Sequence, residues 1–270
     1  MSRLFSYLLS CTAFLIFVTG GFGQEFTSPN EETPGRSSVS ASPTQISKET
    51  FASRPRLNAD VALMTYLRHA YDQLHTLASF SDITIVDAEL PQSSQRGRLK
   101  LRRVFAAPRS LTFQAIDFAG DNFIKSNVIG RLLQSEVDHV QKDDGAKVAI
   151  TDANYNFSYK GPEGFDGRTL YVYAVKPNQK RPGLFKGRIY LDPTDGSLVR
   201  AEGMLVKSPS LFVKKIRFVQ DYNEVAGFNL PVHIHSVAET RIAGRAIVDI
   251  VHSDYDAHSV REAQTTAIAR

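Results

Sequence analysis

The sequence predicts a mainly β fold of the α+β class: one large, curved antiparallel sheet accompanied by two or three helices. Segments of alternating apolar and polar residues follow one another from residue 81 to residue 255. Short turn sequences such as DPTDG (192–196) and ETRIAGR (239–245) separate them, which favours hairpins over parallel crossovers. A sheet of about ten or more strands must curl or close, so the sheet should be curved.

The first 23 residues have the layout of a secretory signal peptide. Arg3 precedes the apolar run LFSYLLSCTAFLIFV, and the small residues TGGFG follow, with a cut expected between Gly23 and Gln24. The sequence LLSC (8–11) also resembles a lipoprotein processing box. We therefore expect an exported, periplasmic protein. Whether this segment is cleaved, lipidated at Cys11 or retained as a membrane anchor stays open.

Composition excludes several classes of protein. Cys11 is the single cysteine of the chain, so a mature chain cut after residue 23 would have no disulfide, thiolate nucleophile or cysteine metal site. The formal charge of the whole chain is +4 at pH 7, and the charged residues are scattered. This balance does not indicate a nucleic-acid-binding protein.

Three regions follow the predicted signal peptide. Residues 24–56 are rich in Ser, Thr and Pro and have no apolar period, which predicts a disordered linker. Residues 57–258 form the predicted folded domain. Residues 259–270 are predicted to be a flexible tail.

Two helices are predicted from apolar residues at three- and four-residue spacing. The first covers 58–78, with Asn58 or Asp60 as its N-cap and an apolar stripe formed by Val61, Met64, Leu67, Tyr71, Leu74 and Leu77. The second covers 126–141, with Val128, Leu132, Val137 and Val140 on one side. Gly130 weakens the second helix.

The remaining segments alternate as strands do. The predicted strands are 81–90, 96–105, 109–118, 146–154, 155–161, 168–177, 184–193, 196–206, 211–222, 229–240 and 245–255. In 192–196, Pro193 presets its own φ and Gly196 can adopt the positive φ that closes the turn.

One face of this sheet is predicted to be apolar over many strands. In 211–222, Phe212, Ile216, Phe218 and Tyr222 alternate with Val213, Lys215, Arg217 and Asp221; in 168–177, Thr169, Tyr171, Tyr173 and Val175 oppose Leu170, Val172 and Ala174. Two helices cannot cover so wide a face densely. The face is therefore either an ordinary core or a partly empty concavity for an acyl chain or similar ligand. The candidate lining residues are Tyr171, Tyr173, Val175, Phe212, Ile216, Phe218 and Tyr222.

Three motifs indicate a family: GRTLYVYAVKP (167–177), the DPTDG turn with Glu202 after it, and FVQDYNEVAGFNLP (218–231). Together they resemble the LolA/LolB-like family of periplasmic lipoprotein carriers and lipid-binding proteins. The resemblance covers roughly residues 60–255. It implies an unclosed half-barrel whose apolar inner surface holds acyl chains beneath a helical lid, here with Val128, Leu132 and Leu133. It also implies an arginine that gates the lid, and the sequence does not choose among Arg98, Arg102 and Arg103.

Two functions follow as expectations. The first is an exported protein that holds an acyl chain, a lipid or a lipoprotein's lipid moiety, for transport or sorting to the outer membrane. The second is a sensor or protein-interaction module of the same fold in the cell envelope, without cargo. We expect a monomer with no cofactor and no nucleic-acid partner, with envelope membrane proteins as candidate partners. Catalytic motifs such as Gly-x-Ser-x-Gly or HExxH are absent from the sequence, so we do not expect an enzyme.

Three histidines form a candidate metal site. A two-residue turn after residue 242 would place His235 opposite His252, and a four-residue turn would place His233 opposite His252. Either register puts His233, His235 and His252 on one face of a hairpin, where imidazoles could converge on a zinc-like ion. The alternative, which we favour, is ordinary cross-strand packing.

Overall fold

The structure is a computed structural model that describes residues 55–142, 145–208, 213–241 and 243–261. The predicted signal peptide, nearly all of the linker, Phe212 and most of the predicted tail lie outside these residues. From Arg56 onward the described residues belong to one compact unit. None of the helices among them is long and apolar enough to cross a membrane.

Ten strands form one antiparallel sheet in the order β3-β2-β1-β10-β9-β8-β7-β6-β5-β4. Their bounds are β1 Leu77–Leu90, β2 Gln95–Ala106, β3 Ser110–Gly120, β4 Tyr155–Phe165, β5 Arg168–Pro177, β6 Phe185–Leu191, β7 Leu198–Leu205, β8 Val213–Val225, β9 Phe228–Thr240 and β10 Arg245–Ser259. Strands β3 and β4 are the two edges, and they do not pair with each other, so the sheet is not closed into a barrel. The predicted fold class, mainly β with one large antiparallel sheet, is confirmed.

The helices lie before and within this succession of strands. Helix α1 spans Ala59–Thr76, and a short 3₁₀ helix spans Pro91–Ser93. Between β3 and β4, α2 (Asn122–Ile124), a π-helical turn (Lys125–Ile129) and α3 (Gly130–Lys142) form one helical segment, followed by α4 (Gly145–Val148).

Helix α1 begins as predicted, but its buried face differs from the predicted stripe. The Asn58 side chain accepts a hydrogen bond of 2.8 Å from the backbone N–H of Val61, which is an N-cap. The helix buries Ala62, Tyr66 and Leu74, whereas Val61, Met64 and Tyr71 are exposed, Met64 by 69%. The reason is close packing on the turn at Gly196, where an added Cβ would stand 2.7 Å from the Ala62 carbonyl oxygen.

One predicted strand, 146–154, is wrong. This segment forms α4 and a series of turns, and the buried Asn154 amide donates hydrogen bonds to the carbonyl oxygens of Ala146 and Ala149 at 2.8 and 2.9 Å. These bonds satisfy carbonyl groups that a strand would have offered to a neighbour. The short apolar run therefore lacks a strand partner.

Two glycines let neighbouring strands approach closely. Gly187 of β6 lies opposite Gly203 of β7. A Cβ added at Gly203 would stand 2.5 Å from the Lys186 carbonyl oxygen, a separation that real Cβ atoms do not show. Such glycine pairs permit the strong bending that a curved sheet requires.

The helices cover the inner face of the sheet, which carries the main core. Val86, Leu101, Leu132, Ile189 and Ile234 are fully buried members of this cluster. A separate cluster of Leu170, Val172, Tyr190 and Val199 lies on the outer face, beneath Phe165. Strand β5 is thus buried on both faces, in keeping with the apolar residues on either side of its alternation.

Candidate ligand-binding site

The candidate lining residues predicted from the sequence lie on two strands, β5 and β8, and the structure places those it describes on the same inner face of the sheet. Phe218 of β8 pairs with Gly203 of β7, and Gly203 pairs with Gly187 of β6. Gly187 in turn pairs with Val175 of β5. Paired residues of a sheet share a face, so Phe218 and Val175 point to the same side. Tyr171, Tyr173 and Ile216 follow the same parity, and Tyr222 packs against the same cluster beyond a bulge.

A bulge near the start of β8 changes one assignment. The register shifts between Val213 and Lys215, and Val213 is buried in the main cluster. It therefore joins the inner face, although strict alternation assigned it to the outer one. Phe212 lies outside the described residues, and its place on the inner face stays a prediction.

The lining residues are closely covered. Tyr173 is 1% exposed and Phe218 is 7% exposed. The hydroxyl groups of Tyr171 and Tyr173 donate hydrogen bonds to the carbonyl oxygens of Leu57 and Ala59, at 2.8 and 2.5 Å. These bonds join β5 to the start of α1. Any acyl chain on this part of the inner face would require covering elements to move.

The helical segment 122–142 covers the inner face near β2 and β3, as a lid would. Val128 and Leu132 are fully buried, and Leu133 is partly buried against the main cluster. Val128 lies in the π-helical turn, which ends at Ile129, directly before Gly130. π-helical turns are rare in proteins and frequently occur at functional sites.

A band of polar side chains crosses the inner face on three neighbouring strands, β2, β1 and β10. Its residues are Arg103, Asp82, Thr84 and His252, all buried. The Arg103 Nε donates to an Asp82 carboxylate oxygen at 2.7 Å, and its Nη2 donates to the Tyr255 hydroxyl at 2.9 Å. This polar band separates the main cluster from a smaller apolar cluster that includes Phe80 and Phe105.

The hydrogen bonds of the polar band determine the tautomer of His252. The Thr84 hydroxyl donates to Asp82, so its oxygen is free to accept from His252 Nδ1 at 2.9 Å. Burial, and to a lesser extent the positive charge of Arg103, lower the pKa of His252 to about 4 despite the opposing effect of Asp82, so the imidazole is neutral near pH 7. Its Nε2 is then an acceptor, and it has no hydrogen-bond partner among the described residues.

Asp82 is held in its charged form. Burial alone would raise the pKa of its carboxyl group, but the hydrogen bond from His252 and the charge of Arg103 lower it overall. Arg103 also lies 3.9 Å from the Glu136 carboxylate on α3. Of the three candidate gating arginines, Arg103 faces inward, whereas Arg98 and Arg102 are exposed on the outer face.

The sequence itself contains a signal for the polar band. Arg103 occupies the same parity as Leu99, Leu101 and Phe105, and Asp82 occupies the parity of Val86 and Ala88. Opposite charges at apolar positions of two hairpin-connected strands indicate a buried ion pair. The register places Asp82 directly opposite Arg103.

The predicted registers of the histidine hairpin are wrong. His235 lies opposite Asp249 and His233 opposite Val251, because the loop between Glu239 and Arg245 has an odd number of residues. His252 therefore faces inward, while His233 and His235 lie on the outer face beside Asp249, which His235 Nδ1 approaches at 2.8 Å. The three histidines do not converge, and the described residues include no cluster of three or more His, Cys, Asp or Glu suited to a metal ion.

The architecture is that of an open, curved antiparallel sheet with helices across its inner face. Among solved structures, the chain is similar to the LolA superfamily protein NE2245 from Nitrosomonas europaea, at 13% identity and a TM-score of 0.36, over 73% of this chain and 92% of that one. It is similar to a putative outer membrane lipoprotein-sorting protein domain from Vibrio parahaemolyticus, at 13% identity and a TM-score of 0.37, over 67% and 85%.

A third similar structure is the MucA/MucB complex of Pseudomonas aeruginosa, at 11% identity and a TM-score of 0.26, over 72% of this chain and 93% of the matched one. At such TM-scores the likeness carries no argument about function. No protein-family model matches the chain, and no curated protein matches it.

Proposed function

We propose that this is an exported, non-enzymatic binding protein that holds the acyl chain of a lipid or lipoprotein between the inner face of the sheet and the helical segment 122–142. The supporting observation is the apolar lining of the inner face, which continues across strands β10, β9, β8, β6 and β5 through Ile250, Ile234, Phe218, Ile189 and Val175. An acyl chain has no hydrogen-bonding groups, so such a lining suits it.

The lid in this proposal is α3, with the π-helical turn Lys125–Ile129 as its hinge. Because Val175, Ile216 and Phe218 are buried, ligand entry requires opening. Moving α3 about this hinge, which contains Val128, would uncover Leu132 and Leu133 together with the sheet residues beneath them. The polar band would then limit the apolar stretch and lie near the polar group of the ligand. His252 Nε2 could accept a hydrogen bond from that group.

In this proposal the protein acts as a monomer in the periplasm, in transport or sorting toward the outer membrane. The predicted signal peptide and the resemblance of residues 167–231 to lipoprotein carriers support that location and role. Membrane proteins of the envelope are the expected donors or acceptors of the cargo.

The test is binding of a fluorescent fatty acid to the purified protein. Phe218→Glu should lower the affinity more than tenfold, about 1.4 kcal/mol, because it would place a carboxylate against the acyl chain. Val251→Glu, on the exposed outer face of β10, is the control and should leave the affinity unchanged. Phe218→Leu, which adds no charge and keeps most of the apolar volume, should retain most of the affinity and separates the effect of the charge from a folding defect. Equal affinities for all variants, or no binding by the wild type, would overturn the proposal.

The close packing of the inner face favours a second candidate, a protein-interaction module of the same fold without cargo. Tyr173 and Phe218 are covered as core residues are. In that case the wild-type protein binds no fatty acid, and lipid extraction followed by mass spectrometry finds no bound lipid in protein purified from its native host. A stoichiometric bound lipid would exclude this candidate.

A further inference from the structure

The central strands β6 to β10 carry basic residues at one end. This end comprises the described residues 185–187, 203–208, 213–217, 237–241 and 243–247, which contain seven basic side chains and one acidic one, Glu239. We call the basic residues the basic rim: Lys186, Lys207, Lys214, Lys215, Arg217, Arg241 and Arg245. Because the five strands are neighbours in the sheet, these residues lie side by side.

The opposite end of the same strands is acidic. Residues 190–192, 195–199, 221–225, 228–232 and 253–259 contain no Lys or Arg; their acidic residues are Asp192, Asp195, Asp221, Glu224, Asp254 and Asp256. A strand of about ten residues is roughly 33 Å long. This exceeds the screening length of about 8 Å at physiological salt, so the acidic end does not neutralise the basic rim.

The basic rim is also poorly neutralised locally. Among the described residues, Lys186, Lys214 and Arg217 take part in no ion pair, and all three are exposed. Glu239 lies opposite both Lys215 and Arg245 in the register, so the one acid is shared by two cations. Lys186, Lys214 and Arg217 therefore keep their charge available to a partner.

An apolar depression adjoins the basic rim on the outer face. It has a volume of about 300 Å³, and its lining includes Val219, Val237, Arg217 and the backbone of Gly187 and Gly203. Arg188, Glu202 and His235 also line it, and the Glu202 carboxylate accepts a hydrogen bond from Arg188 at 2.8 Å. Met204, 37% exposed, lies between Lys186 and Arg217 in the same row of the sheet. Exposed cations that surround apolar surface are typical of proteins that bind the interface of an anionic membrane.

We propose that the basic rim and the adjoining depression form a docking surface for a bilayer that contains anionic phospholipid. Charge complementarity selects this partner: seven cations and one acid face a surface of lipid phosphates, while the apolar side chains contact the region below the headgroups. The acidic end of the strands then faces away from the membrane. The inference does not depend on whether the inner face holds an acyl chain.

The experiment is co-sedimentation of the purified full-length protein with vesicles of phosphatidylcholine, with or without phosphatidylglycerol. We expect binding to the anionic vesicles that weakens with added salt. Lys214→Gln combined with Arg217→Gln should lower the partition coefficient roughly 25-fold, about fivefold for each charge. The control, Lys100→Gln combined with Lys160→Gln, removes the same charge from exposed positions away from the basic rim and should lower it severalfold less.

Three outcomes would overturn the proposal. One is equal binding to neutral and anionic vesicles. Another is an equal loss of binding in the rim variant and the control, which would reduce the effect to net charge. The third is binding to soluble polyglutamate without binding to vesicles, which would assign the basic rim to an acidic protein partner instead.

Discussion

The buried ion pair of the polar band offers the sharpest test of the packing described above. Arg103 and Asp82 are 1% and 0% exposed at their side chains and lie 2.7 Å apart. Removing one partner of such a pair leaves an uncompensated buried charge and typically costs 3–5 kcal/mol. Arg103→Met should therefore lower the free energy of unfolding by about 4 kcal/mol, measured by urea denaturation at pH 7.

The same hairpin contains a matched control. Arg98 lies opposite Asp87 on the same two strands, and its guanidinium is 3.2 Å from the carboxylate, but the two side chains are 61% and 42% exposed. Exposed pairs contribute about 1 kcal/mol or less, so Arg98→Met should have a small effect. Because the residue type and the strand pairing are the same, the difference between the losses of unfolding free energy in the two variants reports the effect of burial on the ion pair.

A double variant completes the test. Arg103→Met combined with Asp82→Leu removes both charges and should recover most of the stability lost by Arg103→Met alone, since apolar pairs often replace buried ion pairs without cost. Equal effects of Arg103→Met and Arg98→Met would refute the assignment of Arg103 to the interior. A double variant that loses as much as the two single variants together would show that the charges are not coupled.

Three further predictions concern other parts of the fold. Burial and the charge of Arg103 lower the pKa of His252 to about 4, so between that pH and about 6.5 the unfolded chain binds a proton that the folded chain does not. The free energy of unfolding should therefore fall by about 3 kcal/mol as the pH decreases through this window, and His252→Gln should remove that loss in urea titrations at each pH. Gly203→Val should lower the melting temperature by several degrees or prevent folding, whereas Gly164→Val, with open space around it, should fold. Leu132→Ala should cost about 2–5 kcal/mol of unfolding free energy because it leaves a cavity beneath α3, whereas Met64→Ala on exposed α1 surface should cost less than about 1 kcal/mol.

Alternation predicted the strands well because most of them have one buried face. Strand β2 is the clearest case: Leu99, Leu101 and Phe105 are buried, and Arg98, Lys100 and Arg102 between them are exposed. Such a pattern is local and can be recognised without knowing the neighbouring strand. The hairpin turn at 192–196 was predictable for the same reason, since Gly196 adopts the φ of 74° that the turn requires.

The predictions that were wrong concern features that depend on contacts between distant segments of the chain. The buried face of α1 is set by its approach to the turn at Gly196, more than 130 residues later in the chain, which no spacing within α1 records. The register of β9 and β10 depends on whether the number of residues between paired positions is odd or even. Five residues separate the paired Glu239 and Arg245, whereas both turns predicted from the sequence had even lengths. One residue of difference moved His252 from the outer face to the interior.

The polar band itself needs an explanation beyond stability. An apolar replacement of Arg103 and Asp82 would be about as stable, so burial of the pair does not by itself account for their presence. Their position supplies the missing reason: Arg103 contacts Asp82 on the sheet and also lies near Glu136 on α3. An apolar side chain at position 103 could fill the same space, but it would make no directional contact with Glu136 on α3. Arg103 thus connects the sheet to α3 at the boundary between the two apolar clusters of the inner face, and we infer that this connection helps to orient the closed helix.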